Sequence, residues 1–136
     1  MKSYVAGLLF DNEGTRVALI EKNRPFWQAG KFNAIGGKIE QGEKPHEAMR
    51  REFMEEAGVD IHWSEAMVLR GTGFEISFFR LHNSEALENI ESLTDEQIHI
   101  FLVKQLPENL VENIDWLVPL MNDRSTELPI VINKIS

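Results

Sequence analysis

Apolar residues arrive along this chain in two rhythms. Short continuous or alternating runs predict strands, and one segment with three-to-four-residue spacing predicts a helix. Residues 3–10 (SYVAGLLF) read as a buried strand, 11–14 (DNEG) as a turn, and 15–21 (TRVALIE) as the return strand of a hairpin. A loop rich in turn formers and aromatics follows at 23–30 (NRPFWQAG). A short strand at 31–35 then runs into the glycine pair Gly36-Gly37. The strongest helical pattern lies just beyond. Gly42 and Glu43 precede it, and Pro45 suits a first turn, where its missing N–H costs nothing. The helix is expected to run to about Ala57, with Gly58 as the stop. Residues 73–82 (GFEISFFRLH) and 97–106 (QIHIFLVKQL) read as strands, joined by an acidic connection at 83–96 with a short helix near 85–90. Residues 113–121 (NIDWLVPLM) read as another helix despite Pro119, and 128–132 could add a strand. No repeat or low-complexity tract interrupts this order. It predicts one domain over residues 1–136, an α+β fold with helices packed on a mixed sheet.

Composition narrows the chemistry. The 136 residues suffice for a hydrophobic core without covalent staples. The absence of cysteine excludes disulfides, thiolate nucleophiles and cysteine-ligated zinc, so any metal is expected to be a hard cation held by oxygen. A net charge of −8, from 22 acidic and 14 basic residues, opposes binding to a nucleic acid polymer. A small phosphorylated substrate stays open, because bound cations locally invert the field. The apolar run near the start is too brief to span a membrane and has no small-residue cleavage site, so a soluble cytoplasmic protein without membrane contact is expected.

The candidate chemistry lies in 37–59, GKIEQGEKPHEAMRREFMEEAGV. At about 100° per residue, Glu52, Glu55 and Glu56 share one arc of the helix, while Met49, Phe53 and Ala57 take the adjoining arc and face the core. Like charges at this spacing repel by about 0.2–0.5 kcal/mol per pair, a penalty that a divalent cation removes. Taken alone, such a helix fits a solvated acidic face equally well. The preceding Gly36-Gly37 permits close backbone approach to a ligand, and Lys38 adds a positive charge beside it. Glycines, carboxylates and Arg51 at fixed intervals are much harder to obtain by accident.

This segment resembles the Nudix box, G-x5-E-x7-R-E-U-x-E-E-x-G-U with U aliphatic. Gly37, Glu43, Arg51, Glu52, Glu55, Glu56 and Gly58 all match, with Val59 at one U position and the aromatic Phe53 at the other. The resemblance implies an α/β/α sandwich over nearly the whole chain and Mg²⁺, with Mn²⁺ as a substitute. It implies Glu55 and Glu56 as principal metal ligands, Glu52 as a third ligand or water-orienting carboxylate, and the Gly36 carbonyl as a backbone ligand. Arg51 and Glu43 would orient helix and loop. The family often adds an acid from late in the chain as ligand or base; Glu96 is the candidate here, with Asp95 and Glu91 as rivals. Lys38 and Arg24 are candidates for holding phosphates, or are ordinary surface charges.

The implied reaction is attack of water on a diphosphate bridge, most simply a nucleoside triphosphate giving a monophosphate and pyrophosphate. Hydrolysis of ADP-ribose or a dinucleotide is a second reading, and a catalytically silent nucleotide sensor a third. Residues 31–38 are similar to the strand before the box in oxidised-purine-nucleotide hydrolases, which makes Asn33 a candidate base contact. Glu112-Asn113 and the following helix are similar to that branch's base-recognition region. There, however, two acids are usual, and an aromatic stands where this chain has Leu110. Trp27 and Phe26 are candidate stacking residues; Trp116 fits either the core or a base platform. The partner is a small nucleotide, for a monomer or homodimer.

Overall fold

A computed structural model describes residues 1–134. Its strands are β1 (Lys2–Phe10), β2 (Arg16–Glu21), β3 (Phe32–Asn33), β4 (Ile35–Lys38), β5 (Ser64–Gly71), β6 (Phe74–His82), β7 (Ile98–Leu102) and β8 (Ile130–Asn133). The α-helices are α1 (Pro45–Ala57), α2 (Ser84–Glu88) and α3 (Ile114–Asn122), and a 3-10 turn covers Phe26–Gln28. One mixed sheet runs in the order β3-β2-β1-β6-β5-β8, with β4 also on β1 and β7 on β2. At its centre β1 and β6 pair in parallel from Lys2↔Phe74 to Phe10↔His82.

Both faces of that centre are covered, which explains the continuous apolar runs. On β1, Leu8 and Phe10 turn toward α3, packing with Ile114, Leu117, Val118 and Met121. Val5 and Leu9 turn the other way, onto Met49, Phe53 and Ala57 of α1 and Leu87 of α2. The period of two therefore sorts one strand between two cores, and the result is the expected α/β/α sandwich.

α1 has the expected limits. Pro45 opens it, the Lys44 N–H donates to Glu47 Oε1 at 2.8 Å, and Gly58 at φ 76° closes it through its N–H to the Met54 carbonyl. Other boundaries differ from expectation. The strand expected at 31–35 splits at Ala34: β3 pairs with β2, then the chain switches partners and β4 pairs with β1. The glycine pair lies inside β4 and forms no turn. A Cβ on Gly36 would stand 1.9 Å from the Val5 carbonyl oxygen, so the tight β1–β4 approach excludes any side chain there. β7 ends at Leu102 rather than 106, and α2 spans 84–88 because Asn83 Oδ1 caps the Ala86 N–H at 3.0 Å. β5 was not foreseen. A bulge between Glu65 and Met67 turns the consecutive residues Ala66 and Met67 both inward, which destroys the alternation that marks a strand. Among the described residues no helix is long and apolar enough to cross a membrane.

Candidate functional site

Arg51 organises an acidic ledge along α1. Its Nε and Nη2 donate to the two Glu43 oxygens at 2.7 and 2.9 Å, the two-pronged grip that suits a planar guanidinium. Nη2 also donates to the Lys38 carbonyl at 3.1 Å, and Nη1 to Glu52 Oε1 at 2.9 Å. One side chain thus ties β4, the following loop and the helix together. The hydrogen bonds from Arg51 hold the Glu43 carboxyl below its usual range, and Glu43 in turn holds the guanidinium proton more firmly.

The ledge carboxylates sit in unequal surroundings. Glu52 packs over Gly37, where an added Cβ would lie 2.5 Å from its carboxylate, so the box glycine is the space that Glu52 occupies. Burial pushes Glu52 up against the pull of Arg51, and the charges of Glu55 and Glu56 push it further. Burial also raises Glu56, which accepts from Thr94 Oγ1 at 3.0 Å and feels the charge of Glu96. Glu55 is the exposed member, 3.3 Å from Arg51 Nη1.

Glu96 is the buried one. Burial alone would raise it, but Lys22 Nζ at 2.9 Å and the Asn23 N–H at 2.7 Å bring it below its usual range. Asp95 instead grips Arg24 at the surface, and Glu91 is exposed, with its backbone N–H on the Ala57 carbonyl. The acids are thus neighbours held by different partners. Among the described residues no three of them converge closely enough to enclose an ion. The donor set nonetheless fits a hard divalent cation: every side-chain donor is a carboxylate oxygen, and Glu52 and Glu56 are raised chiefly by burial and further by neighbouring like charges that a cation would relieve.

The other face of β4 opens into a cleft of about 620 Å³. Asn33, Lys38, Trp27, Glu112 and Asn113, the candidate substrate residues, all line it, together with Gly36 and Gly37. Its apolar floor includes Ile76, Phe78 and Leu117. Phe26, Leu110 and Trp116 are not among its lining residues. Trp116 does not belong to the core: it is 37% exposed, and its Nε1 donates to Asn113 Oδ1 at 3.0 Å. Sequence reasoning did not single out Lys22, Gln28, Thr94 or Lys134. Lys22 lines the cleft while gripping Glu96, and Lys134 Nζ meets Glu112 Oε1 at 3.1 Å across the mouth. Lys22, at the end of a strand, carries a weak signal; the others carry none, since only tertiary packing brings them near.

A sequence profile of the NUDIX domain matches residues 1–117. A protein of Danio rerio named oxidized purine nucleoside triphosphate hydrolase is 48% identical over 46 residues, 34% of this chain; the matched stretch is 29% of that protein's length. Among solved structures, an ADP-ribose pyrophosphatase of Streptococcus suis aligns over 96% of this chain and 98% of its own, at TM-score 0.72 and 17% identity. A NUDIX hydrolase of Nitrosomonas europaea aligns over 98% and 79%, at TM-score 0.70 and 20% identity. MutT of Aliivibrio salmonicida and Vibrio cholerae aligns over 87% and 97%, at TM-score 0.67 and 19% identity. At such identities the structures speak for the fold, while the profile covers most of the chain and includes the ledge and its glycine strand. On that ground the chain belongs to the Nudix family.

Proposed function

We propose that the protein is a Mg²⁺-dependent pyrophosphohydrolase that cuts nucleoside triphosphates into a nucleoside monophosphate and pyrophosphate, acting in the cytoplasm as a monomer or homodimer. The observation that carries this reading is the double position of Gly37, which lines the cleft and also lies directly against the Glu52 carboxylate. A nucleotide in the cleft would have its phosphates led along Gly36, Gly37 and Lys38 to the carboxylates of α1. The partial name match to an oxidised-purine hydrolase agrees with a nucleotide substrate.

Each residue then has a physical task. Glu52, Glu55 and Glu56, with the Gly36 carbonyl and Glu96, would supply the oxygen donors for Mg²⁺. When bound, that cation would supply positive charge for phosphate oxygens and acidify a water poised for attack. Arg51 fixes the ledge through Glu43 and Glu52, so the carboxylates need no reordering at the moment of reaction. Lys38 and Lys22 place positive charge along the phosphate path. Trp27 offers a ring face to the base and Asn33 a polar edge, with Glu112 and Asn113 lining the same cleft.

Product analysis tests the reading. Incubation of triphosphates, ADP-ribose and dinucleotides with Mg²⁺ should release pyrophosphate from the triphosphates at the highest kcat/KM. Sugar-phosphate products without pyrophosphate would replace this reading with ADP-ribose or dinucleotide hydrolysis. Mg²⁺-dependent binding with no turnover would replace it with a sensor.

A further inference from the structure

Two amide side chains in the cleft are oriented by groups that can only donate hydrogen bonds. The Ala34 backbone N–H donates to Asn33 Oδ1 at 2.8 Å. The end of Asn33 that meets Gln28 is therefore Nδ2, donating to Gln28 Oε1 at 3.3 Å. Gln28 is left with its Nε2 group for a ligand, beside the second N–H of Asn33. On the segment that runs beside β3, where the Val111 N–H donates to the Phe32 carbonyl, the indole Nε1–H of Trp116 donates to Asn113 Oδ1, which leaves Asn113 with its Nδ2 group. Lys22 and Lys38 add further donors. The one carboxylate among the described lining residues is Glu112; its Oε1 already accepts from Lys134, and its side chain is 76% exposed at the rim. Each amide oxygen already accepts one hydrogen bond, and the wall that faces a ligand is rich in N–H groups.

Such a wall matches a base edge made of acceptors. A 6-oxopurine, guanine or hypoxanthine, presents N7 and O6 side by side as acceptors, whereas adenine replaces O6 with an amino donor. Oxidation at C8 turns N7 into an N–H donor and breaks the match from the other side. Where the base edge is pressed against that wall, a donor facing a donor leaves both unpaired, and discrimination of about 10- to 100-fold follows. We infer that the cleft selects nucleotides of unoxidised 6-oxopurines, with Gln28 and Asn113, beside Asn33, as the residues that set this preference. The inference rests on the nucleotide reading of the cleft made above. Its polarity comes from this chain's own residues: position 113 carries an amide rather than a carboxylate, and the Trp116 indole donates to its carbonyl.

Calorimetric titration of the metal-free protein with GMP, IMP, AMP and 8-oxo-GMP tests the inference without hydrolysis. GMP and IMP should bind about tenfold or more tightly than AMP and 8-oxo-GMP. kcat/KM with Mg²⁺ for the matching triphosphates should follow the same order. Asn113→Asp puts an acceptor into the wall and should shift the 6-oxo to 6-amino affinity ratio about tenfold toward AMP. Gln28→Glu, on the turn at the cleft's edge, repeats the test at a second position should Asn113→Asp fail to fold. Equal affinities, or tighter AMP or 8-oxo-GMP binding, would overturn the inference, as would variants that leave the ratio unchanged. No binding of any monophosphate overturns it together with the nucleotide reading. Selective binding without pyrophosphate release removes the hydrolytic reading and leaves this inference standing, whereas unselective binding with rapid hydrolysis does the reverse.

Discussion

The acidic ledge and the cleft share β4 yet are built in opposite ways. The ledge is local: Glu43, Arg51, Glu52, Glu55 and Glu56 lie within one loop and helix, and a single guanidinium holds Glu43, Glu52 and Glu55 together with the Lys38 carbonyl. The cleft is assembled from remote pieces, with Asn33, Ile76, Asn113 and Lys134 arriving from four different elements or their flanks. A local cluster of like charges depends on spacing and a counter-charge. A remote cavity depends on the packing of the whole sheet. The first is expected to govern turnover and the second affinity, and substitutions can separate them.

The largest effect is expected on the ledge. Glu55→Gln or Glu56→Gln should lower kcat by about 10²–10³-fold, the usual cost of losing one electrostatic element, while far-UV circular dichroism and Tm stay near wild type. Near-normal turnover in either variant would remove the assigned metal site. Arg51→Lys keeps the charge but loses the two-pronged grip on Glu43, and should reduce activity by about 10–100-fold. A wild-type rate there would show that the hub is dispensable. In the cleft, Trp27→Ala should raise KM by about tenfold with kcat nearly unchanged, because one stacking face is lost. A fall in kcat alone would erase the division between the two regions.

The smallest effect lies outside both. His82 stacks on Phe10 and shares a hydrogen bond with Asn122 Oδ1 at 3.0 Å, and burial holds its imidazole below the ordinary 6.5. The unfolded chain therefore takes up this proton first, so stability is full above pH 6.5 and declines as pH falls from there through the folded-state value. Thermal melts across this pH range should show His82→Gln flattening that decline. An unchanged pH slope would assign the decline to other groups.

What the sequence reveals follows the same division. The limits of α1 and its buried residues Met49, Phe53 and Ala57 are readable because proline, glycine and a 3.6-residue period each act within a few positions. The proximity of Glu96 to Glu56 is not so readable, since it runs through Thr94 and depends on the 94–96 loop folding against the end of β2. β5 is hidden by its own bulge, which makes a buried edge of the core look like an irregular connection. Trp116 misleads for a similar reason. Its bulk suggests burial, but its position on α3 points outward, and the indole instead fixes an amide of the cleft.

The parallel β1–β6 pair has a consequence for how the chain acquires its structure. The first strand pairs with residues more than seventy positions further along, and both of its sides are apolar. A growing or refolding chain holds that strand without its parallel companion until residues 74–82 are available, so the closing of a long loop precedes the central ladder. Refolding is expected to be slow for a protein of this size, with the β6-facing edge of the first strand, open after β2 and β4 have paired with its other edge, the segment most exposed to capture by a chaperone or by another nascent chain.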